Sequence, residues 1–147
     1  MKRRKFIKDS VIGASAFTIV PGSVLTKKGR VAPSDKLNIV VVGAGGRGDS
    51  HWSGANASGR ANVVALVDVD DKRAANAYKS NPKAKRFKDF RDLESIQDEF
   101  DAFMLATPDH THAVIGVALM DMGKHAYIEK PLAHSIYEVR QLTRKAE

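Results

Sequence analysis

From Leu37 to the end of the chain, short runs of apolar residues alternate with longer stretches in which apolar residues recur at helical spacing. Such alternation is typical of βαβ units that build a parallel sheet. The first run, Leu37–Val42, is apolar at nearly every position, as expected of a strand whose two faces are both covered. The pattern predicts five strands, at 37–42, 62–67, 85–87, 101–106 and 125–129.

Capping and breaking residues predict a helix after each strand. The predicted helices are 47–57, ended by Ser58-Gly59; 70–78, capped by Asp70 and broken by Asn81-Pro82; 89–99, capped by Asp89; 107–123, with Thr107 as the cap and Pro108 at the first position; and a last helix from the capping box of Ser135 and Glu138.

Five parallel strands joined by right-handed helical crossovers predict an α/β fold with a doubly wound parallel sheet in the order 3-2-1-4-5. A sixth strand is missing. The 147 residues leave room for one ordinary domain. We therefore divide the chain into a leader and linker, residues 1–33, and a folded domain, residues 34–147.

The net charge of +7 is concentrated at the N-terminus. Residues 1–30 contain eight of the 24 Lys and Arg residues but only one of the 17 Asp and Glu residues, so the remainder of the chain is neutral. A nucleic-acid-binding domain would present a basic face to phosphate. The charge distribution therefore predicts no nucleic-acid partner.

The first eight residues contain Lys2-Arg3-Arg4-Lys5-Phe6-Ile7-Lys8, which resembles a twin-arginine export signal, and a weakly apolar run follows at 11–20. Ten residues rise only about 15 Å as a helix, against roughly 30 Å of membrane hydrocarbon. The resemblance implies export of the folded protein to the periplasm, with no stable membrane span. A basic N-terminus without a targeting role, and retention as an uncleaved anchor, stay open.

A glycine-rich segment, Gly43-Ala44-Gly45-Gly46-Arg47-Gly48, joins the first strand to the first helix and matches G-x-G-x-x-G. Asp68 follows twenty residues after Gly48, at the end of the second strand. This context is the dinucleotide-binding fingerprint of a Rossmann fold: glycines for the turn, the pyrophosphate approach and helix packing, and a helix N-terminus for the phosphates. The predicted cofactor-binding residues here are Gly43, Gly45, Gly46, Arg47, Gly48 and Asp68. A plain glycine turn is the alternative.

The carboxylate of Asp68 is suited to accept hydrogen bonds from the adenosine ribose hydroxyls. It would repel a 2′-phosphate, and the next residue, Val69, offers no cation to hold one. The sequence therefore favours NAD over NADP. Asp70 is the second choice for the ribose contact.

Two further segments, Thr107-Pro108-Asp109-His110-Thr111-His112 and Glu129-Lys130-Pro131, lie at the carboxyl ends of strands four and five, the edge where doubly wound sheets bind ligands. Together with the glycine-rich segment they resemble the glucose-fructose oxidoreductase and inositol dehydrogenase family (Gfo/Idh/MocA). The resemblance covers residues 37–147, and the run from Gly123 to Leu132 is its most specific part.

The resemblance implies that Lys130 lies beside the nicotinamide, where it could donate to the substrate hydroxyl and stabilise developing negative charge. It also implies cofactor contacts from Thr107, Pro108, Asp109, His112 and Glu129. Asp109 stands where the family commonly has Asn, so its contact is less secure. A surface role for Lys130 and a packing role for His112 are the alternatives.

No metal site is predicted. The chain contains no cysteine, which excludes disulfides, thiolate ligands and a cysteine nucleophile. His110 and His112 could join Asp109 around an ion, but the sequence shows no further ligand that would converge with them.

The resemblance implies an NAD-dependent oxidoreductase that acts on a sugar, polyol or glycoside hydroxyl and forms homo-oligomers when complete. The family's general base comes from a C-terminal substrate domain that is absent from this chain, so we expect the chain alone to be inactive. One alternative is an NAD-dependent glycosidase of related fold; such enzymes commonly lack the lysine found here as Lys130. Another is a non-catalytic dinucleotide-binding module.

Overall fold

A five-stranded parallel sheet in the order β3-β2-β1-β4-β5 forms the centre of the domain. The computed structural model describes residues 31–147, so the predicted leader at 1–30 lies outside the described residues. Residues Asp35–Glu147 form one compact unit. The strands are β1 (Leu37–Val42), β2 (Ala61–Val67), β3 (Lys85–Phe87), β4 (Ala102–Leu105) and β5 (His125–Ile128).

The predicted fold class and strand order are confirmed. Strand β1 is central because it pairs with β2 on one side and with β4 on the other. Its residues alternate between two separate cores: Val40 and Val42 pack in one, and Val41 packs in the other. Covering both faces of the sheet explains why β1 is apolar at every position except Asn38.

In residues 31–147, four α-helices connect or follow the strands: α1 (Gly48–Ser58), α2 (Ala75–Ser80), α3 (Asp109–Asp121) and α4 (Ile136–Ala146). Gly59 ends α1 in the left-handed conformation, with φ of 64°. The predicted capping box of α4 is present, with Ser135 accepting from the Glu138 amide and the Glu138 carboxylate accepting from the Ser135 amide. The end of α1 and the start of α4 could both be predicted from the sequence, because helix capping depends on neighbouring residues.

The segment predicted as a helix from Asp89 is a 3-10 segment, Phe90–Glu99, interrupted at Ile96. Asp89 does cap it, accepting from the amide of Arg91 at 2.9 Å. The apolar residues Phe90, Leu93 and Ile96 are three positions apart. The predicted cap and end of this helix are therefore confirmed, and the helix has the 3-10 form with an interruption at Ile96.

Helix α3 begins at Asp109, and its N-cap is Pro108 with no side-chain capping bond. The prediction that Thr107 caps this helix was therefore wrong. The hydroxyl of Thr107 instead lies 2.7 Å from that of Thr111. Helix α2 is also shorter than predicted, because Asp70 accepts from the amides of Lys72 and Arg73 in a turn that precedes it.

Within residues 31–147, every helix falls short of the length and apolar content needed to cross a membrane.

Candidate functional site

The glycine-rich loop between β1 and α1 is held tightly against neighbouring backbone. Gly43 has φ of +80°, and a Cβ there would lie 2.8 Å from the carbonyl carbon of Ala106 at the end of β4. A Cβ at Gly48 would run into the carbonyl oxygen of Gly43. Glycine is required at both positions because larger residues would push the loop away from the sheet.

Gly45 faces the backbone of Arg73, whose carbonyl oxygen would lie 2.6 Å from a Cβ at Gly45. A terminal nitrogen of Arg73 lies 2.9 Å from the position that a Cβ at Gly46 would occupy. Sequence reasoning did not single out Arg73. Its only signal there was a cation five residues after Asp68, at the start of a helical stretch.

The carboxylate of Asp68 links the loop after β2 to the glycine-rich loop. One oxygen accepts from the amide of Gly45 at 2.8 Å, and the other accepts from the amide of Asp70 at 2.9 Å. The side chain is half-buried and lines the adjoining cavity. Because a carboxylate has about four acceptor positions, Asp68 keeps capacity to accept from two ribose hydroxyls.

Two cavities lie along the carboxyl edge of the sheet. The larger, of about 810 Å³, is lined by the glycine-rich loop, Asp68 and Arg73 among others. The smaller, of about 370 Å³, is lined by five residues: Arg47, Ala106, Thr107, Glu129 and Lys130. Arg47, Ala106 and Thr107 line both. The two cavities therefore adjoin, and together they offer an extended path for a ligand with two ends.

Glu129 is buried beneath the start of α1 and pairs with Arg47, whose Nε donates to the carboxylate at 2.9 Å. This hydrogen bond lowers the pKa of Glu129 below its ordinary value. The Arg47 side chain is 66% exposed, so the rest of its guanidinium remains accessible to an anion. The Glu129 carboxylate thus holds Arg47, and the exposed part of the Arg47 guanidinium faces the cavities.

His51, one turn further along α1, is buried beside the same carboxylate. Its Nε2 lies 3.3 Å from the Glu129 oxygen, yet this nitrogen has no hydrogen-bond partner among the described residues. Burial lowers the pKa of His51, although Glu129 opposes that shift. Sequence reasoning assigned no role to His51; its signal was its position four residues after Arg47, on the same helix face.

His112 is buried in α3, and both of its ring nitrogens contact backbone carbonyl oxygens. Nδ1 lies 2.9 Å from the oxygen of Pro131, and Nε2 lies 2.7 Å from the oxygen of Thr107. The ring is therefore used within the protein. Asp109 is half-exposed near His134, whose hydrogen bond lowers the pKa of the Asp109 carboxyl.

The predicted site residues fall into two groups. Eight of them line the two cavities: Gly43, Gly45, Arg47, Asp68, Thr107, Pro108, Glu129 and Lys130. Four lie outside these linings: Gly46, Gly48, Asp109 and His112. Within the described part of the chain, no cluster of three His, Asp or Glu side chains could hold a metal ion.

A sequence model of the Gfo/Idh/MocA family, described as an oxidoreductase family with an NAD-binding Rossmann fold, matches residues 37–147. A glycosyl hydrolase family 109 protein of Shewanella putrefaciens is 33% identical over 129 residues, covering 81% of this chain and 28% of the relative. A 4-carboxy-2-hydroxymuconate-6-semialdehyde dehydrogenase of Sphingobium is 31% identical over 114 residues, covering 76% of this chain and 35% of the relative.

The structure of the WlbA dehydrogenase from Bordetella pertussis, in complex with NADH and UDP-GlcNAcA, is similar in fold. It has a TM-score of 0.68 and 25% sequence identity, covering 76% of this chain and 33% of that one. The chain thus spans about a third of the length of the proteins it resembles.

Proposed function

Since this chain belongs to the Gfo/Idh/MocA oxidoreductase family, which has an NAD-binding Rossmann fold, we propose that it is the cofactor-binding part of an NAD-dependent dehydrogenase. The complete enzyme would transfer hydride between a sugar, polyol or glycoside hydroxyl and the nicotinamide. The relatives include dehydrogenases, and one of them binds NADH together with a nucleotide sugar.

The observation that supports the proposal most directly is the placement of Asp68. Its carboxylate holds the glycine-rich loop through Gly45 and also lines the larger cavity. In a dinucleotide site the loop approaches the pyrophosphate, and the carboxylate accepts from the adenosine ribose. One side chain thus orders the phosphate-binding loop and presents the ribose acceptor.

The arrangement of charges favours NAD over NADP. Lys88 and Arg91 line the larger cavity, but they pair with Asp71 at 2.6 Å and with Asp89 at 2.7 Å. The guanidinium of Arg73 lies at Gly46, on the phosphate-binding loop. Each of these cations already has a contact within the chain, and Asp68 would repel a 2′-phosphate.

Lys130 lines the smaller cavity beside Thr107 and is exposed. When bound, the nicotinamide supplies the hydride chemistry. The ammonium group of Lys130 would donate a hydrogen bond to the substrate oxygen and stabilise negative charge as it develops there. The base that removes the hydroxyl proton would come from a substrate domain outside this chain.

The second candidate function is NAD-dependent glycoside cleavage, favoured by the 33% identity to a glycosyl hydrolase family 109 protein. Such an enzyme would oxidise its substrate transiently and regenerate the cofactor. We expect the chain, joined to a substrate domain, to accumulate NADH in the presence of a sugar or polyol. Glycoside cleavage without net NADH would instead support the second candidate.

Titration calorimetry of this chain with NAD and NADP tests the cofactor proposal. We expect the chain to bind NAD with higher affinity than NADP. A chain that is folded by circular dichroism but binds neither dinucleotide would overturn the proposal.

The proposal extends to the setting in which the enzyme works. The resemblance of residues 2–8 to a twin-arginine signal supports export to the periplasm in folded form. The relatives' length supports a substrate domain, and we expect the complete protein to form homo-oligomers. The neutral charge of residues 31–147 supports a small-molecule substrate and no nucleic-acid partner.

A further inference from the structure

The segment that follows β5 is attached to two different helices, on the two sides of Lys130. On the N-terminal side, the carboxylate of Glu129 accepts from Arg47 at the start of α1. On the C-terminal side, the carbonyl of Pro131 contacts His112 in α3. Lys130 itself is exposed between these two attachments.

His112 is well placed to hold its neighbours rigidly. Its side chain is 1% exposed, and the same helix contributes Ile115 and Leu119 to the main core. Its second ring nitrogen contacts the carbonyl of Thr107, in the loop after β4. The imidazole therefore bridges the two loops that line the smaller cavity.

Few side chains could replace this bridge. Each ring nitrogen of His112 lies within hydrogen-bond distance of a carbonyl oxygen, and the tautomer decides which of the two donates. The two nitrogens point to opposite sides of the ring, towards Pro131 and Thr107. A glutamine amide donates from a single nitrogen and cannot span the same two carbonyls.

From this geometry we propose that His112 and Glu129 are positioning residues for Lys130. By fixing the chain on either side of Lys130, they set the backbone position from which its side chain reaches the smaller cavity before a ligand arrives. This inference rests on the proposed function, because it assumes that Lys130 contacts the nicotinamide end of the cofactor. Preorganisation of this kind acts on the groups it positions and leaves distant contacts unchanged.

The larger cavity gives an internal reference. Asp68 follows β2, which lies on the far side of β1 from β5, since the strand order is β2-β1-β4-β5. ADP-ribose, which lacks only the nicotinamide ring of NAD, would occupy the adenosine, pyrophosphate and second-ribose parts of the site. The ratio of NAD affinity to ADP-ribose affinity therefore isolates the nicotinamide end.

The test measures both affinities by calorimetry for the whole chain and for His112→Gln, Glu129→Gln and Lys130→Ala. We expect Lys130→Ala to change the ratio and each positioning variant to change it in the same direction, by about three- to tenfold. Adding His112→Gln to Lys130→Ala should have no further effect. If His112→Gln only damaged the fold, it would lower the affinities for NAD and for ADP-ribose together. It would then lower both affinities further when added to Lys130→Ala.

His125→Gln is the matched control, because His125 is exposed on β5, the same strand that leads to Lys130. It should leave the ratio unchanged. If His112→Gln does not fold by circular dichroism, Glu129→Gln decides in its place. The inference is overturned if the ratio is unaltered by Lys130→Ala or by the positioning variants, or if the effects are additive. Failure of the wild-type chain to bind either ligand would instead refute the proposed function.

Discussion

At the scale of single residues, the Asp68 carboxylate holds the glycine-rich loop and lines the cavity proposed for the adenosine ribose. An amide at this position has only one acceptor oxygen, so it cannot serve the amides of Gly45 and Asp70 as the carboxylate does. We predict that Asp68→Asn lowers NAD affinity by about ten- to a hundredfold, the loss of hydrogen bonds to a charged group. NADP affinity should fall less, since the repulsion of a 2′-phosphate is removed. Calorimetry with both dinucleotides measures each change.

Asp101→Asn is the control for this change. Asp101 also accepts from a backbone amide, that of Asn38 at 2.7 Å, but it precedes β4 and so lies at the opposite edge of the sheet. This variant should keep the affinity and the NAD preference of the wild type. Equal losses in the two variants would show that Asp68 acts through the fold alone.

The buried His51 makes stability depend on pH with a definite sign. Burial lowers its pKa below the ordinary value of 6.5, so the unfolded chain takes up a proton that the folded chain resists. The free energy of unfolding therefore falls as pH decreases from 6.5 to the pKa of the folded state, by at most about 1.4 kcal/mol per pH unit. We predict that His51→Gln reduces this loss.

Urea denaturation at about pH 7.5 and about pH 5.5, on either side of the start of this window, checks the prediction. His125→Gln, an exposed position, should keep the wild-type difference between the two conditions. The same difference in all three proteins would mean that His51 is not the group responsible.

Sequence reasoning identified residues whose role follows from local spacing, but it did not find the contacts between residues that are distant along the chain. The glycines and Asp68 were found because a fixed motif relates them. The interactions of His51 and His112 involve Glu129 and Pro131, which are 78 and 19 positions away along the chain. Neither contact produces a local pattern, so only the fold could reveal them.

At the scale of elements, two glycines of α1 should respond oppositely to the same change. A methyl group at Gly48 meets the carbonyl of Gly43, whereas one at Gly54 meets nothing within 4 Å. We predict that Gly48→Ala destabilises the chain by about 1–3 kcal/mol through overpacking. Gly54→Ala should stabilise it by about 0.5–1 kcal/mol, since alanine favours the helix.

Urea denaturation of both variants measures these changes in stability, and calorimetry measures the affinity of each variant for NAD. Gly48→Ala should also weaken NAD binding, because the displaced loop includes Gly43 and Gly45. Equal stabilities of the two variants would show that close packing of α1 on the loop is unimportant.

The helix starts predicted at Asp89 and at Thr107 had different outcomes. Asp89 and Thr107 are both residue types that cap helices, and sequence rules judge a cap by residue type. Asp89 does cap a helix, which has the 3-10 form and is interrupted at Ile96, because its carboxylate accepts from the amide of Arg91. At Thr107 the side chain pairs with Thr111, which leaves the helix to start at Asp109.

At the scale of the whole molecule, the strand order and the position of the site could be predicted together. The order 3-2-1-4-5 is that of a Rossmann fold, and because the strands are parallel the carboxyl ends of β1, β2, β4 and β5 meet at one edge. The two cavities lie along this edge. Their sizes could not be predicted, because they depend on how far the loops fold back onto the sheet.

The distribution of charge along the chain leads to a prediction about export. Residues 31–147 are neutral, so the excess of basic residues lies in residues 1–30. If Arg3 and Arg4 are read as a twin-arginine pair, replacing both with lysine should abolish periplasmic accumulation although the charge is unchanged. Lys27→Arg with Lys28→Arg is the matched control, as it exchanges the same two residue types outside the motif. Immunoblots of periplasmic and cytoplasmic fractions measure the outcome, and equal periplasmic shares for the wild type and the Arg3→Lys, Arg4→Lys variant would contradict the export proposal.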